Sequence, residues 1–277
     1  MAVYSKSPYE EPPTDQFKEK INRFFVAGHA YGKPNTDNIG FHPPFQQYVN
    51  EQHDEFSMGF FTGDFLLHAT EKNWDEVDSV TNNWDVEINY VAGNHDVGDR
   101  TLFRKRHAET NRTFVLENNL YVIWDLNSSG WLVNESHWTL IEGAIQKRGT
   151  SFNNIFIFTH QLFYFNNGPA LGNTIPNSWD GKAPNLNFFE SYLEKIASID
   201  SDFYFFCGDV GALKNNCEPG GFIYNNLHII YSGMGSGHAD NFISVTLLND
   251  SVTLSVNYLS PEMKIPLVDS FYNNLAP

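Results

Sequence analysis

Residues 56–64, FSMGFFTGD, and residues 86–96, VEINYVAGNHD, are the stretches on which the fold is read. Each is a short apolar run that breaks at a glycine. Residue types that bind cations follow at once, Asp64 in the first and Asn94 and His95 in the second. Between them, residues 71–83 set polar positions around Trp74 and Val77, which predicts a helix. Strand, helix, strand, with a glycine at each strand end, is the grammar of an α/β sheet whose ligands gather beyond the carboxyl ends of the strands. Glycine at such a point lets the chain turn sharply and lets a cation or a phosphate come close.

The same pattern repeats on both sides. Residues 23–27 form an apolar strand running into Gly28-His29, residues 155–158 lead to Thr159-His160, and residues 203–207 lead to Gly208-Asp209. Residues 120–124 form a further strand that ends at Asp125. Helical spacing is predicted over residues 101–109, over 136–147 with Trp138, Ile141 and Ile145 on one face, and over 188–199 with Tyr192, Leu193 and Ile196 on one face. A short helix fits residues 45–52. The tail changes character: residues 227–231, 242–248 and 252–258 read as strands without intervening helices, and Asn249-Asp250 reads as a hairpin turn.

Residues 1–20 are polar and punctuated by Pro8, Pro12 and Pro13, an extended lead-in. Residues 21–277 show neither an internal repeat nor a linker, and read as a single domain. Residues 166–184 are rich in Asn, Gly and Pro and form a long loop at the polar end of the strands. Loops so placed often carry function.

With 277 residues, 41% hydrophobic and 16% aromatic, the chain has material for a large core, and no window is apolar enough to span a membrane. A formal net charge of −16 repels phosphate backbones, so no nucleic-acid partner is expected. A small anionic substrate is not excluded, because a bound cation reverses the local field. Cys207 and Cys217 are too few for a disulfide scaffold; two thiols are the preferred reading and a single bridge between them the alternative. No export signal opens the chain.

Five strand ends, at His29, Asp64, Asn94-His95, His160 and Asp209, can converge on one spot. A divalent cation held there polarises a phosphoryl oxygen, activates water and offsets transition-state charge, while a nearby histidine protonates the leaving oxygen. Taken singly, these residues are also common helix caps, turn formers or structural histidines. Their ordered recurrence is what singles them out.

The order Gly63-Asp64, then Gly93-Asn94-His95-Asp96 thirty residues on, then a lone His160 after a strand resembles the calcineurin-like metallophosphoesterases. Residues 121–126, followed by Trp131-Leu132 and a helix, are similar to the corresponding stretch of many of these enzymes. The resemblance implies a four-layer α/β/β/α sandwich and a site that usually holds two metals. It casts Asp64 as the bridging ligand, Asn94 as a ligand and phosphate contact, His95 as the general acid and His160 as a further ligand.

Two motifs depart from the pattern. The opening Asp-x-His stands here as Ala27-Gly28-His29, and the late Gly-His-x-His as Gly208-Asp209-Val210-Gly211. One ligand set therefore survives as Asp64, Asn94, His160 and Asp209, while the other shrinks to His29 and Asp64. The expectation is one tightly held divalent cation, with a second as the alternative if His238 or a neighbouring loop restores a ligand. Oxygen-rich donors favour Mn²⁺, Mg²⁺ or Ca²⁺, and Zn²⁺ or Fe²⁺ remain compatible. His29 then binds phosphate or orients water. The expected activity is hydrolysis of a phosphomonoester or phosphodiester, small-molecule or glycan or lipid. The alternative is a relative that binds metal or ligand without turnover.

Overall fold

The computed structural model describes residues 23–34, 39–98, 100–107, 109–163, 177, 186–211, 218–235, 237–248 and 251–260. The lead-in of residues 1–20, Cys217, Tyr164, Phe165, Trp179 and all of the long loop except Asn177 lie outside them. In chain order the elements are β1 (Arg23–Ala27), α1 (Pro43–Gln52), β2 (Met58–Thr62), α2 (Glu71–Thr81), β3 (Glu87–Val91), α3 (Asn94–Val97) and α4 (Thr101–His107). Then follow β4 (Arg112–Leu116), β5 (Asn119–Trp124), α5 (Glu135–Arg148), β6 (Asn154–Thr159), α6 (Leu186–Ala197) and β7 (Asp202–Gly211). Last come β8 (Gly220–Tyr224), β9 (Leu227–Met234), β10 (Asn241–Leu248) and β11 (Ser251–Tyr258).

The strands form two sheets, in the orders β11-β10-β1-β2-β3 and β4-β5-β6-β7-β9-β8. In the first sheet β1, β2 and β3 are parallel, and the β10–β11 hairpin joins antiparallel to β1. In the second, β5, β6, β7 and β9 are parallel and the edge strands β4 and β8 run the other way.

Alternation along the strands shows why they pack as layers. Phe24 and Val26 of β1 join Phe60, Phe156, Phe158, Tyr204 and Phe206 in a core between the sheets. Phe25 and Ala27 face outward into a second core with Phe45 and Val49 of α1, Trp74 and Val77 of α2, and Phe103 of α4. On the far side Ile155, Ile157, Phe203 and Phe205 meet Trp138 and Ile141 of α5 and Phe188 and Tyr192 of α6. The order is therefore helices, sheet, sheet, helices: a four-layer α/β/β/α sandwich. Strands covered on both faces need apolar residues at every position, which is why they appear in sequence as unbroken runs. Phe163, beside the long loop, packs in the helix-side core on Phe188 and Phe205.

Three features differ from the sequence reading. The edge strands β4 and β8 had no clear signal: β4 alternates half-exposed residues, and β8 opens on two glycines. The Asn94-His95 segment is a single helical turn, α3, rather than a loop. Most importantly for the site, β7 does not stop at Cys207. Its pairing with β9 goes from Cys207↔Tyr231 to Val210↔Gly233, so one extra residue bulges out at Gly208-Asp209.

Candidate metal centre

The parallel strands of both sheets bring their carboxyl ends to one edge of the sandwich, and the predicted residues arrive there by different local means. His29 and Asp64 follow β1 and β2 in the left-handed region, each with φ near 52°. Side-chain-bearing residues rarely adopt this conformation, at a cost of about 1–3 kcal/mol each. It is held by main-chain hydrogen bonds from His29 N–H to the Gly63 carbonyl (3.1 Å) and from Tyr31 N–H to the Asp64 carbonyl (3.4 Å). Gly63 also requires its lack of a side chain: its φ is +81°, and a Cβ would lie 2.5–2.7 Å from the His160 ring. At Gly93 a Cβ would collide with the Asp64 carboxylate.

Asp96, which follows the Asn94-His95 pair, clamps these loops together. Its fully buried carboxylate accepts main-chain N–H bonds from Asp64 (2.6 Å), Phe65 (3.0 Å), Leu66 (2.9 Å) and Gly93 (2.9 Å). Burial and the nearby Asp64 charge push its pKa up, against the pull of the Leu66 and Gly93 N–H donors and of His160. The bulge in β7 is tied in a comparable way: the N–H groups of Gly208 and Asp209 both donate to the His160 carbonyl, at 3.0 and 2.8 Å. That double bond to the end of β6 aims the Asp209 side chain inward.

The result is a compact donor cluster. His29, Asp64 and Asp209 each offer a ligand atom, and the three atoms lie within 4.8 Å of one another. Asp64 Oδ2 faces three imidazoles: His29 Nε2 at 3.2 Å, His160 Nε2 at 3.5 Å and His95 Nε2 at 4.0 Å. His160 Nε2 is also 3.5 Å from Asp209 Oδ1. Asp64 Oδ2, His160 Nε2 and Asp209 Oδ1 are all buried, and none has a hydrogen-bond partner among the described residues. Orphaned polar atoms converging on one point are costly unless a further group satisfies them. Two carboxylates and two imidazoles make a donor set that fits a divalent cation.

Tautomers follow from the partners. His160 Nδ1 lies 3.1 Å from the Thr62 carbonyl and His95 Nδ1 lies 2.8 Å from the Leu67 carbonyl. A carbonyl only accepts, so both Nδ1 atoms carry the hydrogen and both Nε2 atoms face the cluster. A ring fixed from behind by a carbonyl is the usual support of a metal-binding histidine. Burial resists charge on both partners here. Even so, Asp64 and Asp209 push the His160 pKa up to about 10, and His160 and His29 hold the Asp64 carboxyl well below the usual carboxylate range. The centre therefore calls for positive charge.

Asn94 opens α3 and is exposed, and His95 is half-buried with its side chain one-third accessible. Both stand at the rim, whereas His29, Asp64, His160 and Asp209 form the floor. His238 is exposed on its loop and stays out of the cluster. Asp240, on the same loop, is buried. It accepts N–H bonds from Gly235 (2.8 Å) and Gly237 (3.1 Å) and pairs with His42 (2.9 Å).

Two residues were missed. Tyr31 is buried with its ring 4.8 Å from His29 and 5.5 Å from His95, and burial together with Asp64, Asp96 and Asp209 raises its pKa. Its place two residues after His29 was the available signal. Asn177, from the long loop, sits against His29 and Asp209, and nothing local in the sequence marks it.

No protein-family model matches the chain, and no curated protein matches it in sequence. Solved structures do. A purple acid phosphatase from yellow lupin seeds superposes with a TM-score of 0.54 at 11% identity, covering 92% of this chain and 56% of that one. The chain thus spans little more than half the length of that phosphatase. A conserved Streptococcus pneumoniae protein described as a predicted phosphoesterase gives a TM-score of 0.36 at 10% identity, covering 88% and 92% of the two chains. Vacuolar protein sorting 29 from Cryptosporidium parvum gives 0.35 at 8% identity, covering 86% and 98%. The chain has the calcineurin-like metallophosphoesterase fold.

Proposed function

We propose that the chain is a phosphoester hydrolase with one tightly bound divalent cation, held by Asp64, His160 and Asp209 beside His29. The observation that supports this best is the convergence of three buried atoms, Asp64 Oδ2, His160 Nε2 and Asp209 Oδ1, on one point, with no hydrogen-bond partner among the described residues. When bound, the cation would polarise the phosphoryl group and activate the attacking water. Asn94, exposed at the N-terminus of α3, contacts a phosphoryl oxygen from the rim. His95 keeps Nδ1–H on the Leu67 carbonyl, so Nε2 is the position at which it holds and delivers a proton to the leaving oxygen. His29 orients the phosphate or the water. The substrate is a small-molecule, glycan or lipid phosphoester, in keeping with the net charge of −16.

The test is metal content per chain together with hydrolysis of an aryl phosphate and a bis-aryl phosphate, for the unaltered protein, Asn94→Ala and His95→Ala. The expected result is one retained cation and turnover that falls at least about a hundredfold in His95→Ala, with the cation still bound. A bound cation without turnover under any divalent metal would establish a binding protein instead. No bound cation would overturn the reading altogether.

A further inference from the structure

Asn177 is placed where the sequence pattern lacks a ligand. Its main-chain N–H donates to the Asp209 carbonyl at 3.0 Å, and its side-chain amide nitrogen Nδ2 is placed 3.1 Å from His29 Nε2. That is the same ring nitrogen that stands 3.2 Å from Asp64 Oδ2. Asn177 is therefore on the cluster side of the His29 imidazole. It is not behind it, where Nδ1 is buried without a hydrogen-bond partner among the described residues. A residue that merely braced the ring would bond Nδ1, as the carbonyls behind His160 and His95 do.

The chemistry of the three groups narrows the choice. His29 Nε2 has one position to give. If it carries a hydrogen, Asp64 Oδ2 and Asn177 must both present acceptors to it. If it carries a lone pair, it either accepts from the Asn177 amide nitrogen, as placed, or is directed at a cation, beside which the amide is most favourable with its oxygen turned inward. Amide oxygen and nitrogen exchange by rotation about one side-chain bond, so the same position accommodates either orientation. With the oxygen inward, an imidazole nitrogen, a carboxylate oxygen and an amide oxygen form a triangle. This donor set suits a hard or borderline divalent cation.

We propose that Asn177 is a metal ligand: it completes, with His29 and Asp64, a second and weaker cation position that the altered Ala27-Gly28-His29 motif otherwise leaves with two donors. The inference rests on the metal-binding reading above, with Asp64 shared between the two positions. The long connection between β6 and α6 thus supplies a ligand from outside the strand ends. Loading of the second position depends on Asn177 keeping its main-chain bond to the Asp209 carbonyl.

The test is titration of the full-length, metal-stripped chain with Mn²⁺ alone, followed by calorimetry and electron paramagnetic resonance. The unaltered protein is expected to take up one tight and one weaker equivalent, and the second is expected to bring a spin-coupled signal because both ions share Asp64. Asn177→Ala should keep the tight equivalent and weaken the other at least tenfold, with loss of the coupled signal. Asn177→Asp supplies a stronger oxygen ligand and should restore or tighten the second equivalent. A group that only packs the loop or bonds His29 would not be replaced in that way. Loss of the second equivalent in Asn177→Asp as well as in Asn177→Ala, or no effect of either, overturns the assignment. So does a single equivalent in the unaltered protein, which leaves the one-cation reading standing. Absence of any tight equivalent overturns that reading instead.

Discussion

Replacing Asp96 by asparagine removes one of two carboxylate oxygens that together accept four main-chain N–H groups. Oδ2 takes those of Asp64 and Gly93, and Oδ1 takes that of Leu66 and, at 3.0 Å, that of Phe65. Asparagine can satisfy one pair, but its NH₂ group then faces two N–H donors in a fully buried pocket. Each orphaned donor costs about 1–3 kcal/mol, so the gross loss is about 2–6 kcal/mol. Relief of the repulsion between Asp96 and Asp64 offsets part of it, leaving a net loss of about 2–4 kcal/mol. Asp96→Ala orphans all four donors and should cost more than Asp96→Asn. The measurement is urea unfolding followed by tryptophan fluorescence and compared at equal m-value, since a changed slope would mean a changed unfolded or native state. The same variants should lose Mn²⁺ affinity at least tenfold, because Asp64 is held at a φ of 52° by these bonds. An Asp96→Asn loss below about 1 kcal/mol with unchanged Mn²⁺ affinity would refute the view that this carboxylate builds the centre. Equal losses in the two variants would refute the count of donors.

Other consequences are more local. Phe60→Ala removes a ring stacked 3.7 Å from Phe158 in the inter-sheet core, and should cost about 3–5 kcal/mol in urea unfolding without altering metal binding. Gly93→Ala drives a Cβ into the Asp64 carboxylate and should lower Mn²⁺ affinity at least tenfold by calorimetry. Arg100→Ala leaves the fully buried Asp125 without its guanidinium partner, and should destabilise by about 3–5 kcal/mol, read as a lower urea midpoint. His107 packs on Trp74, Tyr90 and Phe103, and burial, then Arg112 and Arg106, lower its pKa from 6.5 to about 4. The unfolded chain therefore takes up this proton first: the contribution is complete above pH 6.5, shrinks as pH falls towards 4 and is then exhausted. The swing is at most about 3 kcal/mol, and His107→Phe should remove it from unfolding curves recorded between pH 7 and 4.

The sandwich was legible because its strands are buried on both sides. Runs such as residues 155–158 and 203–207 have no solvent face to dilute them, so they stand out between polar helices. The edges were not legible for the opposite reason: Val115 of β4 and Ile223 and Tyr224 of β8 are exposed, and such short mixed stretches look like loops. At the site, glycine followed by a ligand type marked His29, Asp64, Asn94, His95 and Asp209, and the strand end Thr159 marked His160, because the close approach of two sheet ends demands small residues there. The sequence did not separate floor from rim. Nor could it show that Asp209 sits on a bulge, since a bulge is defined by the partner strand β9 and not by β7 itself. Asn177 was hidden for a related reason, as its role depends on where a long loop returns.

Strain and charge at the centre point the same way. His29 and Asp64 are held in a left-handed conformation that glycine would adopt freely, yet each position carries a side chain aimed at the other, 3.2 Å apart. A fold selected for stability alone has no use for that pairing, because the local backbone cost of about 1–3 kcal/mol each accompanies the burial of a carboxylate and an imidazole. Asp209 adds a second buried carboxylate, aimed by a bulge whose two N–H groups are both committed to the His160 carbonyl. These arrangements place acceptor atoms at one point and, among the described residues, leave them no partner beyond the imidazoles of the site itself. On the proposed reading a cation turns each of these costs into a function, which is why the metal titration carries more weight than any assay of turnover.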